Sequence, residues 1–506
     1  MTRPEPDLKL RTARTIKWNV VDKVSSQLLY AVTGIVLARV LSQEDFGLVG
    51  AIMVFQAFAQ MFIDSGFSSA LVQRKSPAEE DYSTVMWFNI GMAATVYVIL
   101  WVAAPWIADI FQGDRRLIPL SRIMFLTFVL HSTSIVQVSR LMKRMDVRMI
   151  AVANVIALVA SAVVGISLAI GGWGAWAIVW QSLTMAAVKS AVLWGTGRWM
   201  PMMVFSWRSL KSFFKVGSGV MFSSFLNVLF QNIYSFFIGN RVGLAGLGYY
   251  TQSDKWSKMG IASFSQVLVA SFLPVLSQVQ DDPERYARSV AKINRFTAYL
   301  LFPAVGLLAV VSAPLFHSLF GTKWDPSIVL FQLLLLRGVF TVLCSLYNNY
   351  MLSVGNSRMM IYTELIRDVA ALVAILVTLP YIAETLPGDP VKGVRVMLWG
   401  QVIASVLTWG VTLWFTARAT GIGMWKFVAD MIPYVAIATV AMAVSVGSGM
   451  LSDSHWMLVV IQPLAGMATY AAINYVLHSR IQADAMQYLF GRISIKLKFR
   501  KTAKKQ

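Results

Sequence analysis

Cysteine is all but missing from this chain of 506 residues, with Cys344 standing alone. That excludes an internal disulfide and any cysteine-built metal site, and leaves the thiol as a small apolar packing residue. Charge is scarce as well: Asp, Glu, Lys and Arg make up 13% of the chain, roughly half their share in soluble domains. Acids are the rarer sign, 24 against 44 Lys and Arg, for a net charge of +20. Long polar connections are lacking too, since the longest outer one, "YIAETLPGDPVKG", has only about a dozen residues and cannot hold a soluble domain. The four histidines, His131, His317, His455 and His478, are scattered. No G-x-x-x-x-G-K-[ST], H-E-x-x-H or G-x-S-x-G occurs, "GGWGAW" reads as a tight turn, and Asp281 and Asp282 before "PERY" read as a helix cap. The chain is therefore expected to be no enzyme and to carry no catalytic residue, metal or cofactor.

What is abundant is apolar sequence: 57% of residues are hydrophobic and the mean hydropathy is +0.63. Runs of 18 or more apolar residues recur almost end to end, each long enough to cross a hydrocarbon core of about 30 Å. They predict an all-α, polytopic membrane protein of about 14 transmembrane helices. The N-terminal "MTRPEPDLKLRTARTIKW" is polar for too long to be a cleavable signal. With that end placed in the cytoplasm, about 30 Lys and Arg fall inside and about 7 outside. Both termini are thus expected to be cytoplasmic. In this setting the net positive charge points to an anionic lipid leaflet, on which the basic tail "RISIKLKFRKTAKKQ" would lie, and nucleic acid is set aside.

The chain also echoes itself. "RVLSQEDFGLVG" (Arg39 to Gly50) returns as "RVGLAGLGYYTQ" (Arg241 to Gln252) about 200 residues on, and "DVRMI" (Asp146 to Ile150) returns as "NSRMMI" (Asn356 to Ile361) at about 210. Six helices separate the copies, so they share one orientation. This predicts two parallel-repeat six-helix lobes, residues 1–211 and 212–420, then two extra C-terminal helices in 421–480 and a basic tail in 481–506. Gly47 and Gly248 are read as relaxing the backbone where each second helix begins.

Charges inside the apolar spans mark candidate functional positions, because an ion at mid-bilayer costs at least about 2.5 to 3.5 kcal/mol and so faces protein or water. Arg337, in "LLLLRGVF", is the deepest and has no acid nearby in its own helix; it needs a partner from elsewhere or a ligand. Asp254 and Lys258 have the i, i+4 spacing of a local ion pair, with Lys255 between them. Glu364, Arg367 and Asp368 share one helix face. The first half offers Asp22 and Lys23, Arg39, Asp64 and Arg122. Guanidinium groups suit an anionic cargo, above all phosphate. For adjacent Asp-Lys pairs, mutual neutralisation as interhelical glue is an equally open reading.

Several stretches resemble one family. "ARVLSQEDFGLVGAIMVFQAFAQMFIDSGFSSALVQRK" (Ala38 to Lys75), "LGYYTQSDKW" (Leu247 to Trp256), "FLPVLSQVQDD" (Phe272 to Asp282) and "LFGTKWDPSIVLFQLLLLRG" (Leu319 to Gly338) running on to "NNYMLSVGNSRMM" are similar to the polysaccharide transporter family. These are the Wzx-type flippases, WzxC-like in particular, of the multidrug/oligosaccharidyl-lipid/polysaccharide superfamily. The resemblance implies a bacterial inner-membrane flippase with two lobes around a central cavity. It would move undecaprenyl-pyrophosphate-linked oligosaccharide outward by alternating access, among membrane lipids and beside a polysaccharide polymerase and glycosyltransferases. Cationic cavity residues of the family are carried onto Arg39, Arg122, Lys255 and Arg337, and Asp64, Asp254, Glu364 and Asp368 stand as coupling or gating acids. A multidrug or cation antiporter of the same fold would instead line its cavity with acids and aromatics. A membrane-embedded glycosyltransferase or ligase would want a large outer loop.

Overall fold

The computed structural model describes residues 6–64, 67–74, 76–197, 199–385 and 389–483. Among them the chain is helical and forms no strand. The helices are α1 (Pro6–Val40), α2 (Gln43–Asp64), α3 (Phe67–Gln73), α4 (Glu79–Ile110), α5 (Leu117–Met124), α6 (Leu126–Lys143), α7 (Val147–Ile170), α8 (Ala175–Gly197) and α9 (Trp207–Arg241). They continue as α10 (Leu244–Ser277), α11 (Pro283–Val310), α12 (Ser312–Leu319), α13 (Asp325–Ser353), α14 (Ser357–Thr385), α15 (Pro390–Thr420), α16 (Met424–Ala429), α17 (Ile432–Gly447) and α18 (His455–Val476). Among the described residues 12 stretches are long and apolar enough to cross a membrane. Two more helices, α9 and α10, run 35 and 34 residues where the seventh and eighth spans are expected. The all-α, multi-pass membrane architecture is as the hydropathy predicts. The basic tail beyond residue 483 lies outside the described residues.

Helix ends depart from the apolar runs for local chemical reasons. The apolar signal starts near residue 292, yet α11 begins at Pro283, because the Asp282 carboxylate accepts the Arg285 N–H at 3.0 Å and Pro283 fits the first helical position. The Asp281-Asp282 pair is thus a helix cap, as read from the sequence. Helix α2 opens on a reciprocal cap: the Asp45 N–H donates to Ser42 Oγ at 3.2 Å, and Asp45 Oδ2 accepts the Ser42 N–H at 2.9 Å. In α15, Thr408, Thr412, Thr416 and Thr420 each donate a hydroxyl to the carbonyl four residues back, which hides polar atoms a membrane interior cannot hydrate.

The chain separates into two compact units. The first holds Met1–Thr251 with Leu386–Val391, and the second holds Gln252–Thr385 with Lys392–Gln506. The first unit packs a core of Phe67, Leu71, Val85, Met86, Val136 and Phe213. The second gathers Ile437, Ala438, Ala441 and Tyr470 against Tyr299 and Phe302.

The echoes seen in the sequence have matching geometry. After α6, Asp146 N–H bonds Leu141 O at 2.9 Å and Met145 N–H bonds Met142 O at 3.0 Å; after α13, Asn356 N–H bonds Met351 O at 2.9 Å and Gly355 N–H bonds Leu352 O at 3.0 Å. Both turns close by passing one residue through the left-handed region, Met145 at φ 57° and Gly355 at φ 77°. The other echo is closer still. In the first unit, a Cβ on Gly47 would overlap the Leu244 carbonyl, and a Cβ on Gly248 would overlap the Gln43 carbonyl. Each glycine meets the partner copy's equivalent residue, the reciprocity of a two-fold contact. Neither glycine has a positive φ. Their role is therefore close backbone approach and not backbone relaxation, which corrects the sequence reading.

Candidate functional site

In the second unit the predicted Asp254–Lys258 pair and Arg337 come together. Asp254 Oδ2 pairs with Lys258 Nζ at 2.6 Å one turn along α10, as the spacing predicts. Its Oδ1 faces Arg337 Nη2 of α13 at 3.7 Å. Arg337 thus finds its acid on another helix. Packing explains how: Gly338 beside it leaves room for Ile261 of α10, whose Cδ1 a Cβ would overlap, and Ser253 Oγ donates to Ser327 O at 2.9 Å. These contacts seat α10 against α13 and carry Asp254 to the guanidinium.

The geometry of the pair is loose. At 3.7 Å the attraction is coulombic without a hydrogen bond, and both Arg337 Nε and Asp254 Oδ1 are buried with no hydrogen-bond partner among the described residues. The cluster carries two cations for one acid. Such a guanidinium can accept a multidentate anion without first breaking a strong bond. Lys255 is exposed on the same helix, its amine 5.4 Å from the Trp256 ring centroid.

The other predicted residues are placed as follows. Arg122 belongs to the first unit and lies over Trp101, 4.0 Å from its ring centroid, with Nε donating to the Trp101 carbonyl at 3.3 Å. Arg39 is exposed in the last turn of α1. Arg39 and Arg122 thus fall in the first unit, and Lys255 and Arg337 in the second. Asp368 pairs with its neighbour Arg367 at 3.1 Å, and Glu364 is half-buried one turn before. The Asp64 side chain lies outside the described residues, although the residue itself ends α2. Asp22 accepts both Asn154 Nδ2 contacts, at 3.1 and 3.2 Å, joining α1 to α7.

Sequence reasoning missed a second charged cluster, in the first unit. Arg140 of α6 grips Glu79 of α4 with two bonds, Nη1 to Oε2 at 2.8 Å and Nη2 to Oε1 at 3.2 Å. Its guanidinium carbon sits 5.0 Å from the Tyr82 ring and 4.7 Å from Trp199, whose Nε1 donates to Glu79 at 2.6 Å. Beside it Asp81 pairs with Arg74 at 3.1 Å and accepts the Ser209 hydroxyl. The signal that could have found this cluster was the acid-rich "EED" start of α4 facing the basic "RLMKR" end of α6. Between α4 and α5, hydrogen bonds from the Arg116 side chain hold the Asp114 carboxyl below its usual range, against the opposing effect of partial burial, and Arg116 also reaches Glu44 at 3.1 Å.

Comparison with known proteins agrees with this architecture. The family model described as "Polysaccharide biosynthesis protein" matches residues 36–329, more than half of the chain. The succinoglycan biosynthesis transport protein ExoT of Rhizobium meliloti (strain 1021) is 29% identical over 367 residues, covering 72% of this chain and 74% of its own. The lipopolysaccharide biosynthesis protein WzxC of Escherichia coli (strain K12) is 24% identical over 338 residues, 66% and 68% of the two chains. Among solved structures, the lipid II flippase MurJ in an inward closed conformation shares the fold with a TM-score of 0.66 at 13% identity, over 92% of this chain and 99% of MurJ.

Proposed function

This chain belongs to the polysaccharide biosynthesis protein family, and from that premise we propose that it is a flippase for undecaprenyl-pyrophosphate-linked oligosaccharides. It carries repeat units from the cytoplasmic to the periplasmic leaflet of a bacterial inner membrane by alternating access, with both termini cytoplasmic. The transport role in ExoT's name and the fold shared with a lipid II flippase support this reading. The matching turns at Met145 and Gly355 support descent from a duplication into two six-helix lobes. A polymerase and glycosyltransferases are the partners such a cargo requires.

The observation that carries the proposal is the loose Arg337–Asp254 pair beside Lys258. A pyrophosphate offers Arg337 the paired acceptor oxygens that Asp254 does not supply. Lys258 keeps Asp254 neutralised when Arg337 turns to the cargo, so the exchange strands no charge in the membrane. Asp254 then acts as a gating acid, occupying the anion site between cargoes.

The test is reconstitution with a fluorescent lipid pyrophosphate bearing a short oligosaccharide, scoring its arrival in the opposite leaflet by lectin capture. Arg337→Ala is expected to slow flipping about tenfold or more, equivalent to about 1.4 kcal/mol, with Arg337→Lys between it and the parent. Normal flipping by a well-folded Arg337→Ala protein overturns the role of Arg337. No flipping by the parent protein with any lipid-linked sugar overturns the function itself.

A further inference from the structure

The connection between α8 and α9 is non-helical and rich in large apolar residues, "WMPMMVFS" from Trp199 to Ser206, and leads into Trp207 at the start of α9. Its backbone is docked on one side by four hydrogen bonds. The Met202 N–H donates to Ser83 Oγ at 3.0 Å and the Met202 carbonyl accepts Trp87 Nε1 at 2.9 Å. The Ser206 N–H donates to Thr84 Oγ1 at 3.1 Å, and the Trp199 carbonyl accepts Gln137 Nε2 at 3.3 Å. The segment is therefore a strap bound along α4 and α6.

Its side chains do the opposite of what water would select. Met203, Met200 and Trp207 are 89%, 77% and 75% exposed, and Phe205 packs its ring edge-to-face on Trp207 at 5.2 Å. Arg208 and Lys211 follow at once, both exposed. The neighbouring acids are already partnered: Glu79 by Arg140 and Trp199, and Asp81 by Arg74 and Ser209. The strap therefore presents apolar and aromatic side chains edged by Arg208 and Lys211, which form no ion pair among the described residues. Aromatic rings with basic neighbours characterise the membrane–water interface. Irregular backbone at that depth needs partners for its polar groups, and the contacts to Ser83, Thr84 and Trp87 supply three of them.

We infer that this strap is an interfacial anchor for anionic phospholipid, a role beyond the transport site. Met200, Met203, Phe205 and Trp207 enter the acyl boundary while Arg208 and Lys211 meet headgroup phosphates. Anionic lipid is the occupant because the exposed charge is positive and lies directly beside exposed apolar and aromatic side chains, the pairing that a headgroup phosphate and its acyl chain complement.

The full-length chain with Cys344→Ala has no other cysteine, so Met203→Cys, and separately Met200→Cys, can each carry one environment-sensitive fluorophore. In nanodiscs, the label is expected to emit as in an apolar medium and to be quenched by lipids brominated near the headgroup more than by those brominated near the chain end. Phosphatidylglycerol in place of phosphatidylcholine should deepen the quenching, and Arg208→Gln with Lys211→Gln should cut that gain about twofold or more. Water-like emission open to iodide from both labelled sites in every nanodisc overturns the anchor. Equal quenching in neutral and anionic lipid overturns the anionic preference. Both results are independent of whether the protein flips a lipid-linked sugar.

Discussion

Two arginines, one in each unit, solve the same problem in different ways. Arg140 is held by two hydrogen bonds to one carboxylate and by two aromatic faces. Arg337 faces its carboxylate at 3.7 Å and keeps a buried Nε without a hydrogen-bond partner. The first arrangement is a fixed post that fastens α4 to α6; the second is a charge kept in place but left open to exchange. A cation in a membrane protein thus acquires its role from how completely its hydrogen bonds are already satisfied.

The sharpest way to break this comparison is to remove the post. Arg140→Ala removes a buried guanidinium from between the Tyr82 and Trp199 rings and takes the cation from a half-exposed Glu79, and should cost about 2 kcal/mol of stability, read as a lower midpoint in thermal unfolding followed by tryptophan fluorescence. A loss under about 1 kcal/mol would place Arg140 with ordinary surface pairs. Arg337→Ala should behave inversely, changing the unfolding midpoint by less than the equivalent of about 1 kcal/mol, since Asp254 keeps Lys258 at 2.6 Å, while transport falls. If both variants lose stability alike, the distinction between post and exchangeable charge fails.

The equivalent turns extend the comparison on a smaller scale. Gly355 occupies the left-handed region freely, whereas Met145 does so at a steric cost. Gly355→Ala is expected to destabilise by about 1 kcal/mol, and Met145→Gly to stabilise by roughly 0.5 to 1 kcal/mol once the more flexible unfolded chain is counted. Denaturation of both variants against the parent measures each. The smallest effect concerns Asp114, whose folded pKa is depressed by Arg116. A depressed acid contributes stability above its unfolded pKa of about 3.9 and loses it as pH falls through the lower folded value. Asp114→Asn should flatten stability in that acid window, by under about 1 kcal/mol because Arg116 is more than half exposed.

What the sequence could reveal followed from its local terms. Hydropathy located the spans, the i, i+4 rule predicted Asp254–Lys258, and depth singled out Arg337. Pairings across helices were not legible. Arg337–Asp254 and Arg140–Glu79 depend on which helix faces become neighbours, and a single sequence does not state that. Nor did hydropathy give the true starts of α9 and α11, because capped first turns extend a helix past its apolar part. The Gly47/Gly248 echo was visible, but a glycine kept for φ and a glycine kept for close approach look identical in a string of letters.

The crossing of α2 and α10 also sets a timetable for biosynthesis. Gly47 is made early, yet the backbone it packs against, at Leu244, emerges about 200 residues later, which at ribosomal speeds of about 5 to 20 residues per second is roughly 10 to 40 s. Until then the start of α2 waits in the membrane with its glycine face uncovered. The long segment of the first unit runs to Thr251, just past that partner, so the start of α2 cannot finish packing until almost all of that segment has been made.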